Sequence, residues 1–381
     1  MNNNNNIGFN VPAILGNEID YIKKAIKMRH IHGGGSFTSK CNKLFEKQLQ
    51  VKKSFITTSC THALEAASIL IDIQPGDEII LPSFTFVSTA NAFVLRGAKP
   101  IFVDIRKDTL NIDESLLSDC ISDRTKAIIP VHYGGVSCEM DKITELIKDT
   151  DIQLIEDNAQ GLFGKYKGKY LGTFGVMSTQ SFHETKNITC GEGGALFINN
   201  EDFIDRAEII MDKGTNRKNY FDGKVGYYSW VDYGSSYRPS EILSAFLYAQ
   251  LEKAREVQTK RKRIWDKYRN QLNIWAQNKE VILPEIPPYC ESSYHLFYMV
   301  MPSQIIRDLL IEYLKKHKII SVFHYVPLHN SEMSERFGWN SDNCPISIDI
   351  SQRLIRLPLY YGLTENQSDF IIEKILNFKD I

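Results

Sequence analysis

Short apolar runs alternate with helix-period segments over roughly the first 250 residues. Ser54–Thr58 reads as a strand, and His62–Leu70 places helix formers at helical spacing. Pro75-Gly76-Asp77 marks a turn, Glu78–Leu81 a buried strand and Ser88–Leu95 a helix. Further strands are predicted at Pro100–Ile105, Thr125–Val131, Ile152–Glu156 and Gly194–Ile198, with helices at Met140–Lys148 and Asp202–Met211. Continuous apolar strands alternating with helices predict an α/β fold: a mostly parallel, mixed sheet flanked by helices.

The pattern changes at Ser240. Ser240–Trp275 reads as one long or broken helix, capped by Ser240 with Glu241 in its first turn. Its Lys260-Arg261-Lys262-Arg263 run reads as a solvated face, since no aromatic residues interleave with the charges. Strands predicted at Leu296–Met301 and Ile320–Val326, with helices at Ile305–His317 and Glu365–Phe378, form a smaller C-terminal α+β domain. The expected division is a large domain over 1–254 and a small one over 255–381, with residues 1–6, rich in asparagine, as a disordered lead-in.

Composition narrows the function classes. The 381 residues carry 45 basic and 46 acidic side chains, a net charge of −1. That balance argues against a nucleic-acid or membrane-surface protein, both of which need excess positive charge. No apolar run approaches the roughly 18 residues of a membrane span, and no signal peptide opens the chain. Seven cysteines are scattered singly, so neither a disulfide framework nor a structural zinc site is expected. The picture is a cytoplasmic, soluble protein.

Dinucleotide-type GxGxxG, Walker-loop and HExxH patterns are missing from the sequence. His324 and His329 lack further metal ligands, so no metal is expected. Four features remain, in order. Thr57-Thr58-Ser59-Cys60-Thr61 joins a strand to a helix, where free N–H groups and hydroxyls suit a phosphate, or simply cap the helix. Leu154-Ile155-Glu156-Asp157-Asn158-Ala159-Gln160 delivers acids and a glutamine at a strand's C-terminal end, where ligands of open α/β sheets collect. Ser181-Phe182-His183-Glu184-Thr185-Lys186-Asn187 carries a lysine, and Gly191-Glu192-Gly193-Gly194 follows it. An amine in a low-dielectric pocket can lose its proton and form a Schiff base with an aldehyde. Phosphate cup, acid and lysine together are the parts pyridoxal 5'-phosphate needs, with Phe84-Thr85-Phe86 offering aromatic planes for its ring.

At these residues the sequence resembles the DegT/DnrJ/StrS family of nucleotide-sugar aminotransferases, which have the fold of type I pyridoxal phosphate enzymes. The lysine motif with its Gly-Glu-Gly-Gly return is the most specific match. Pro82–Phe93 and Val322-Phe323-His324-Tyr325-Val326-Pro327-Leu328-His329 also match. The resemblance implies that Lys186 bears the cofactor and moves the proton, and that Asp157 pairs with the pyridinium. It gives Gln160 the ring hydroxyl, Phe86 the ring face, and Cys60, Thr61 and Ser181 the phosphate. Arg238, where many relatives place an asparagine nearby, would reach the phosphate of a partner subunit in a homodimer. His183, His324, Tyr325 and His329 are candidates for substrate contact, with a structural role equally open for the histidines. The branch most resembled moves an amine from glutamate to C4 of dTDP-4-keto-6-deoxy-D-glucose, for polysaccharide of the O-antigen or enterobacterial common antigen type. A gluco-configured product, a 3-keto-sugar or UDP-sugar substrate, and a non-catalytic regulator of the same fold are the alternatives.

Overall fold

Among the described residues twelve strands organise the fold: β1 (Lys53–Thr57), β2 (Glu78–Pro82), β3 (Lys99–Val103), β4 (Thr125–Ile128), β5 (Gln153–Asp157), β6 (Lys165–Tyr166), β7 (Lys169–Tyr170), β8 (Met177–Ser181), β9 (Gly194–Ile198), β10 (Cys290–Glu291), β11 (Phe297–Val300) and β12 (Leu354–Leu357). The structure is a computed structural model that describes residues 6–340 and 342–379. Apart from Asn6, which is exposed, the expected lead-in lies outside the described residues.

Seven strands form the main sheet in the order β1-β9-β8-β5-β4-β2-β3. β2, β3, β4, β5 and β8 pair in parallel, while β9 runs antiparallel between β8 and β1. The sheet is therefore mixed and mostly parallel, as the apolar runs predict. Its strands are buried on both faces because successive side chains point to opposite sides. Ile79 and Leu81 pack with the Cys60–Leu70 and Val87–Val94 helices, whereas Ile80 packs with Met140 and Ile143 of the Met140–Ile147 helix.

Register brings the chemistry to one edge. Gly194 of β9 pairs with both Thr57 of β1 and Ser181 of β8, and Asp157 of β5 pairs with Thr179 of β8. Because β9 is antiparallel, its first residue meets the last residues of its neighbours. Gly194 also explains the glycine-rich return: a Cβ there would lie 2.4 Å from the Cys60 backbone nitrogen. Only glycine lets the Cys60–Leu70 helix begin directly against this strand.

The long C-terminal helix is broken. Glu241–Glu252 and Ala254–Asn278 meet at Lys253, and Ser240 caps the first of them by accepting from the Leu243 N–H. A second apolar core gathers Ile264, Tyr268 and Leu272 of the longer helix with Phe297 and Met299 of β11, Ile355 and Leu357 of β12, and Ile371 and Ile375 of the Glu365–Leu376 helix. Ile7, from the other end of the chain, joins it by pairing with Ile319.

Three expectations need correction. Ile320–Val326 is not a strand: within it Val322 alone bridges, to Arg356, and Phe323 and Val326 are exposed. β8 was not expected, because Met177-Ser178-Thr179-Gln180-Ser181 is polar, yet Ser178, Thr179 and Gln180 are fully buried between two neighbouring strands. Arg261 does not belong to a solvated face. It is only 2% exposed and donates to the Tyr294 and His295 carbonyls. Burial, with Arg356 adding to it, pulls its pKa down to about 9.

Candidate active site

Lys186 sits on the turn between β8 and β9. Its backbone N–H bonds to the His183 carbonyl at 2.9 Å, and the turn is closed by Phe182 N–H to Gly193 and Cys190 N–H to Phe182. Asn187 clamps the turn from outside. Its amide nitrogen donates to the Ser293 carbonyl at 2.7 Å, and its amide oxygen lies 3.1 Å from His295 Nδ1. The lysine side chain enters a small cavity shared with Gln160, Ser181 and His295. Burial holds its pKa below the ordinary lysine range and Arg356 adds to the effect, against the pull of Cys60 and Asp157. A depressed amine of this kind is a competent nucleophile and base.

Asp157 ends β5, only 5% exposed. Thr89 Oγ1 donates to its Oδ2 at 2.8 Å and the Ala159 N–H to its Oδ1 at 3.1 Å. With that proton committed, Thr89 accepts from Thr85 Oγ1 at 3.0 Å. Glu156 precedes it and, by strand alternation, points the other way. There it accepts from the N–H groups of Gly172, Phe174 and Gly175 and faces His132 Nε2 at 2.9 Å. The Cys138 N–H donates to His132 Nδ1, which leaves the proton on Nε2 for Glu156. The two adjacent acids therefore divide roles: Glu156 pins a turn and Asp157 faces the site.

The start of the Cys60–Leu70 helix forms a cup of donors. Ser59 caps it by accepting from the His62 N–H, and Thr61 Oγ1 meets Ser88 Oγ at 2.8 Å. The N–H groups of Cys60 and Thr61 have no carbonyl of their own helix to reach, and the helix dipole favours an anion there. Burial, then the charge of Asp157, pushes the Cys60 thiol up, so it stays protonated.

Aromatic residues line the far side. Gln160 receives the Gly134 N–H at 2.7 Å and donates to the Tyr325 hydroxyl at 3.2 Å. Tyr325 packs edge-on to Phe84 and Tyr133, and Tyr133 OH lies 3.1 Å from His324 Nδ1. Burial keeps His324 and His295 neutral and both tyrosines protonated. Phe86 is 57% exposed with its ring 6.4 Å from Tyr325, free to take a flat guest.

Thus Lys186 shares a cavity with Gln160 and Ser181, Asp157 and Cys60 lie within electrostatic reach of the amine, and Tyr325 joins through Gln160. Three residues are turned elsewhere. His183 faces Thr185 and Glu192. His329 is buried against Ser83, fixing the Leu328–Asn330 turn to the end of β2. Arg238 lies beside Gly33, Gly34, Glu208 and Asp212 of its own chain. Sequence reasoning missed Tyr133, His295 and Arg356. No local motif marks them, since each reaches the site from a distant segment.

The residues fit pyridoxal phosphate: a buried amine with a depressed pKa, an oriented carboxylate, a helix start with free donors, and an exposed aromatic face. The fold and cofactor define a fold type I pyridoxal phosphate-dependent sugar aminotransferase. Residues 12–376 match the model of the DegT/DnrJ/EryC1/StrS aminotransferase family, and the chain belongs to that family. It is 32% identical to GDP-perosamine synthase of Escherichia coli O157:H7, over 96% of this chain and 97% of that one. Among solved structures it is similar to the putative sugar aminotransferase Spr1654 of Streptococcus pneumoniae in its PLP form, with a TM-score of 0.89 and 27% identity over 97% of this chain and 98% of that one. Helicobacter pylori PseC, an aminotransferase of pseudoaminic acid biosynthesis, matches with a TM-score of 0.90 and 26% identity over 97% and 98% of the two chains.

Proposed function

We propose that this enzyme moves an amino group from glutamate to C4 of dTDP-4-keto-6-deoxy-D-glucose, giving dTDP-4-amino-4,6-dideoxy-D-galactose for a cell-surface polysaccharide. The observation that carries the reading is the desolvated amine of the half-buried Lys186 within electrostatic reach of Asp157, beside a helix start. The dTDP-sugar and its 4-keto carbon are supported by the lysine motif and the Val322–His329 stretch. The GDP-perosamine synthase relative makes a GDP-linked sugar the rival substrate.

In this reading Lys186 holds the cofactor, Asp157 faces its ring nitrogen, Gln160 its ring hydroxyl and Phe86 its face. Cys60, Thr61 and Ser181 hold the phosphate, completed by Arg238 of the partner subunit in a homodimer. Pyridoxal phosphate, when bound, supplies an electron sink for the bond broken at the substrate carbon. Lys186 then takes the proton from the amino donor's α-carbon and, in the second half-reaction, returns one to sugar C4; the face it protonates sets the product's configuration. Thr89 and the Ala159 N–H hold the Asp157 carboxylate still, so that no reorganisation is needed as charge develops. His324 and Tyr325 contact the sugar. The proposed division into domains 1–254 and 255–381 falls next to the helix break at Lys253. No helix of the described residues is long and apolar enough to cross a membrane; the nucleotide-sugar substrates proposed here place the enzyme in the cytoplasm.

The test is spectroscopic. Glutamate should bleach the visible band of the purified holoenzyme, and dTDP-4-keto-6-deoxyglucose should restore it, with the C4 configuration read by NMR. Restoration by a GDP- or UDP-linked keto-sugar alone would replace the proposed substrate. A band indifferent to every amino donor and keto-sugar would point to the non-catalytic alternative.

A further inference from the structure

His295 lies just before β11, is 6% exposed, and lines a small cavity together with Lys186, Gln160 and Ser181. Its setting assigns both ring nitrogens. The Asn187 amide nitrogen donates to the Ser293 carbonyl, so the amide oxygen is the atom that faces His295 Nδ1 at 3.1 Å. An oxygen acceptor there requires the proton on Nδ1, and a neutral imidazole then keeps a lone pair on Nε2. The ring is held neutral: burial first, then Lys186, Arg261, Arg356 and His324, keep its pKa well below the ordinary histidine range. The backbone around it is fixed as well. Arg261 donates to the carbonyls of Tyr294 and His295, while the Ser293 N–H reaches Gly135 and its hydroxyl reaches the Gln160 carbonyl.

The same cavity holds an amine that must change charge. Once a substrate has taken its place on the cofactor, Lys186 is free to accept a proton from carbon and give it up again. While it carries that proton it is an ammonium in a place where burial and Arg356 disfavour charge, against the pull of Cys60 and Asp157. Its three N–H donors need acceptors. The other amides of the cavity are already committed. Gln160 has its oxygen on the Gly134 N–H and its nitrogen on Tyr325, Asn187 is tied at both ends, and Gln258 donates to the Leu162 carbonyl and accepts from Asn187. We propose that His295 is the positioning residue of Lys186: its Nε2 lone pair receives an N–H of the released ammonium and holds the amine in place between taking the proton and delivering it. His295 itself neither gains nor loses a proton, which leaves one carbon, travels on Lys186 and reaches another. Because one lysine serves both substrates, the same acceptor serves both half-reactions. The inference rests on Lys186 as proton carrier in the proposed function.

The experiment separates the two ring nitrogens. His295→Asn puts an amide nitrogen where Nδ1 is and nothing where Nε2 is, whereas His295→Gln reaches to Nε2 and offers an oxygen there. In the apoprotein, the pH dependence of Lys186 acetylation by acetic anhydride, read by peptide mass spectrometry, gives the midpoint of the amine with no cofactor or substrate present. His295→Asn should lower that midpoint by about one pH unit, a tenfold change in the ratio of ammonium to amine, and His295→Gln should keep most of it. In the holoenzyme, His295→Asn should retain the cofactor by absorbance and slow the half-reactions with glutamate and with dTDP-4-keto-6-deoxyglucose roughly 10- to 100-fold, the worth of a hydrogen bond to a charged group, at unchanged half-saturation. His295→Gln should recover part of that rate. A His295→Asn variant with wild-type midpoint and rates overturns the proposal, because the imidazole then does no more than tie Asn187. His295→Gln worse than His295→Asn overturns it for the same reason. Loss in one half-reaction alone also overturns it, since that pattern belongs to a contact with one substrate. Should His295→Asn not fold, His295→Gln against His295→Leu decides: equal Lys186 midpoints in the two overturn the proposal. Wild-type holoenzyme that ignores glutamate refutes the donor in the proposed function instead, and the apoprotein labelling still decides the role of His295.

Discussion

Asp157 is buried and Arg356 half-buried, both within electrostatic reach of Lys186, and their surroundings are opposite. The carboxylate at the sheet edge has both oxygens occupied, by Thr89 and Ala159, on a strand paired on either side. The guanidinium on β12 has no carboxylate partner among the described residues, and the segment beside it is held by the Val322 bridge and by the hydrogen bonds of His324 and Tyr325 to Tyr133 and Gln160. The sheet edge is thus finished before any substrate arrives, as a fixed electrostatic environment requires. The C-terminal side is left incomplete, as suits groups that meet two different substrates in turn.

That contrast can be broken from either side, and the largest effect is expected at the sheet edge. Asp157→Asn should retain cofactor by absorbance yet lose turnover roughly a hundredfold or more, because a preorganised charge is removed from the reacting system. Near-normal turnover would remove Asp157 from the site. Gly194→Ala comes next. Its Cβ would collide with the backbone of Ser59 and Cys60, so a loss of about 1–3 kcal/mol by denaturant titration is expected, with weaker cofactor retention. An unchanged midpoint would show that the helix start does not depend on close approach to β9. On the C-terminal side, Tyr325→Phe removes the hydroxyl that accepts from Gln160, a loss of about 0.5–1.5 kcal/mol. It should slow turnover severalfold while cofactor affinity stays put; a collapse of cofactor binding would place Tyr325 with the sheet edge instead.

The smallest signal is in the apoprotein's pH profile. Lys186 has a folded pKa below its unfolded value, chiefly through burial. Between those two values the unfolded chain binds more protons than the folded one, so stability rises with pH across that window. Lys186→Met should flatten this part of the profile and raise the melting temperature of the apoprotein below the window. An unchanged profile would mean that the amine is not desolvated.

The sheet edge was also the part legible in the sequence. Glu78–Leu81, Ile152–Glu156 and Gly194–Ile198 are apolar runs bounded by turn signals, and Lys186 and Asp157 sit in contiguous motifs at their ends. β8 escaped because its residues are polar, and burial between two strands overrides composition. The C-terminal side was not legible. Ile320–Val326 reads as a strand in the sequence, but only Val322 finds a strand partner, Arg356. Arg261 looked like one of four solvated charges, and only the fold shows the carbonyls of Tyr294 and His295 waiting for it. Such contacts join residues far apart in the chain, where period and spacing carry no information.

The central claim is that Lys186 is the amine that carries pyridoxal phosphate. Reducing the holoenzyme with borohydride and mapping its peptides by mass spectrometry tests it directly. The expected result is one modified peptide, with the cofactor's added mass on Lys186; the mass on another lysine, or on none, would contradict the account.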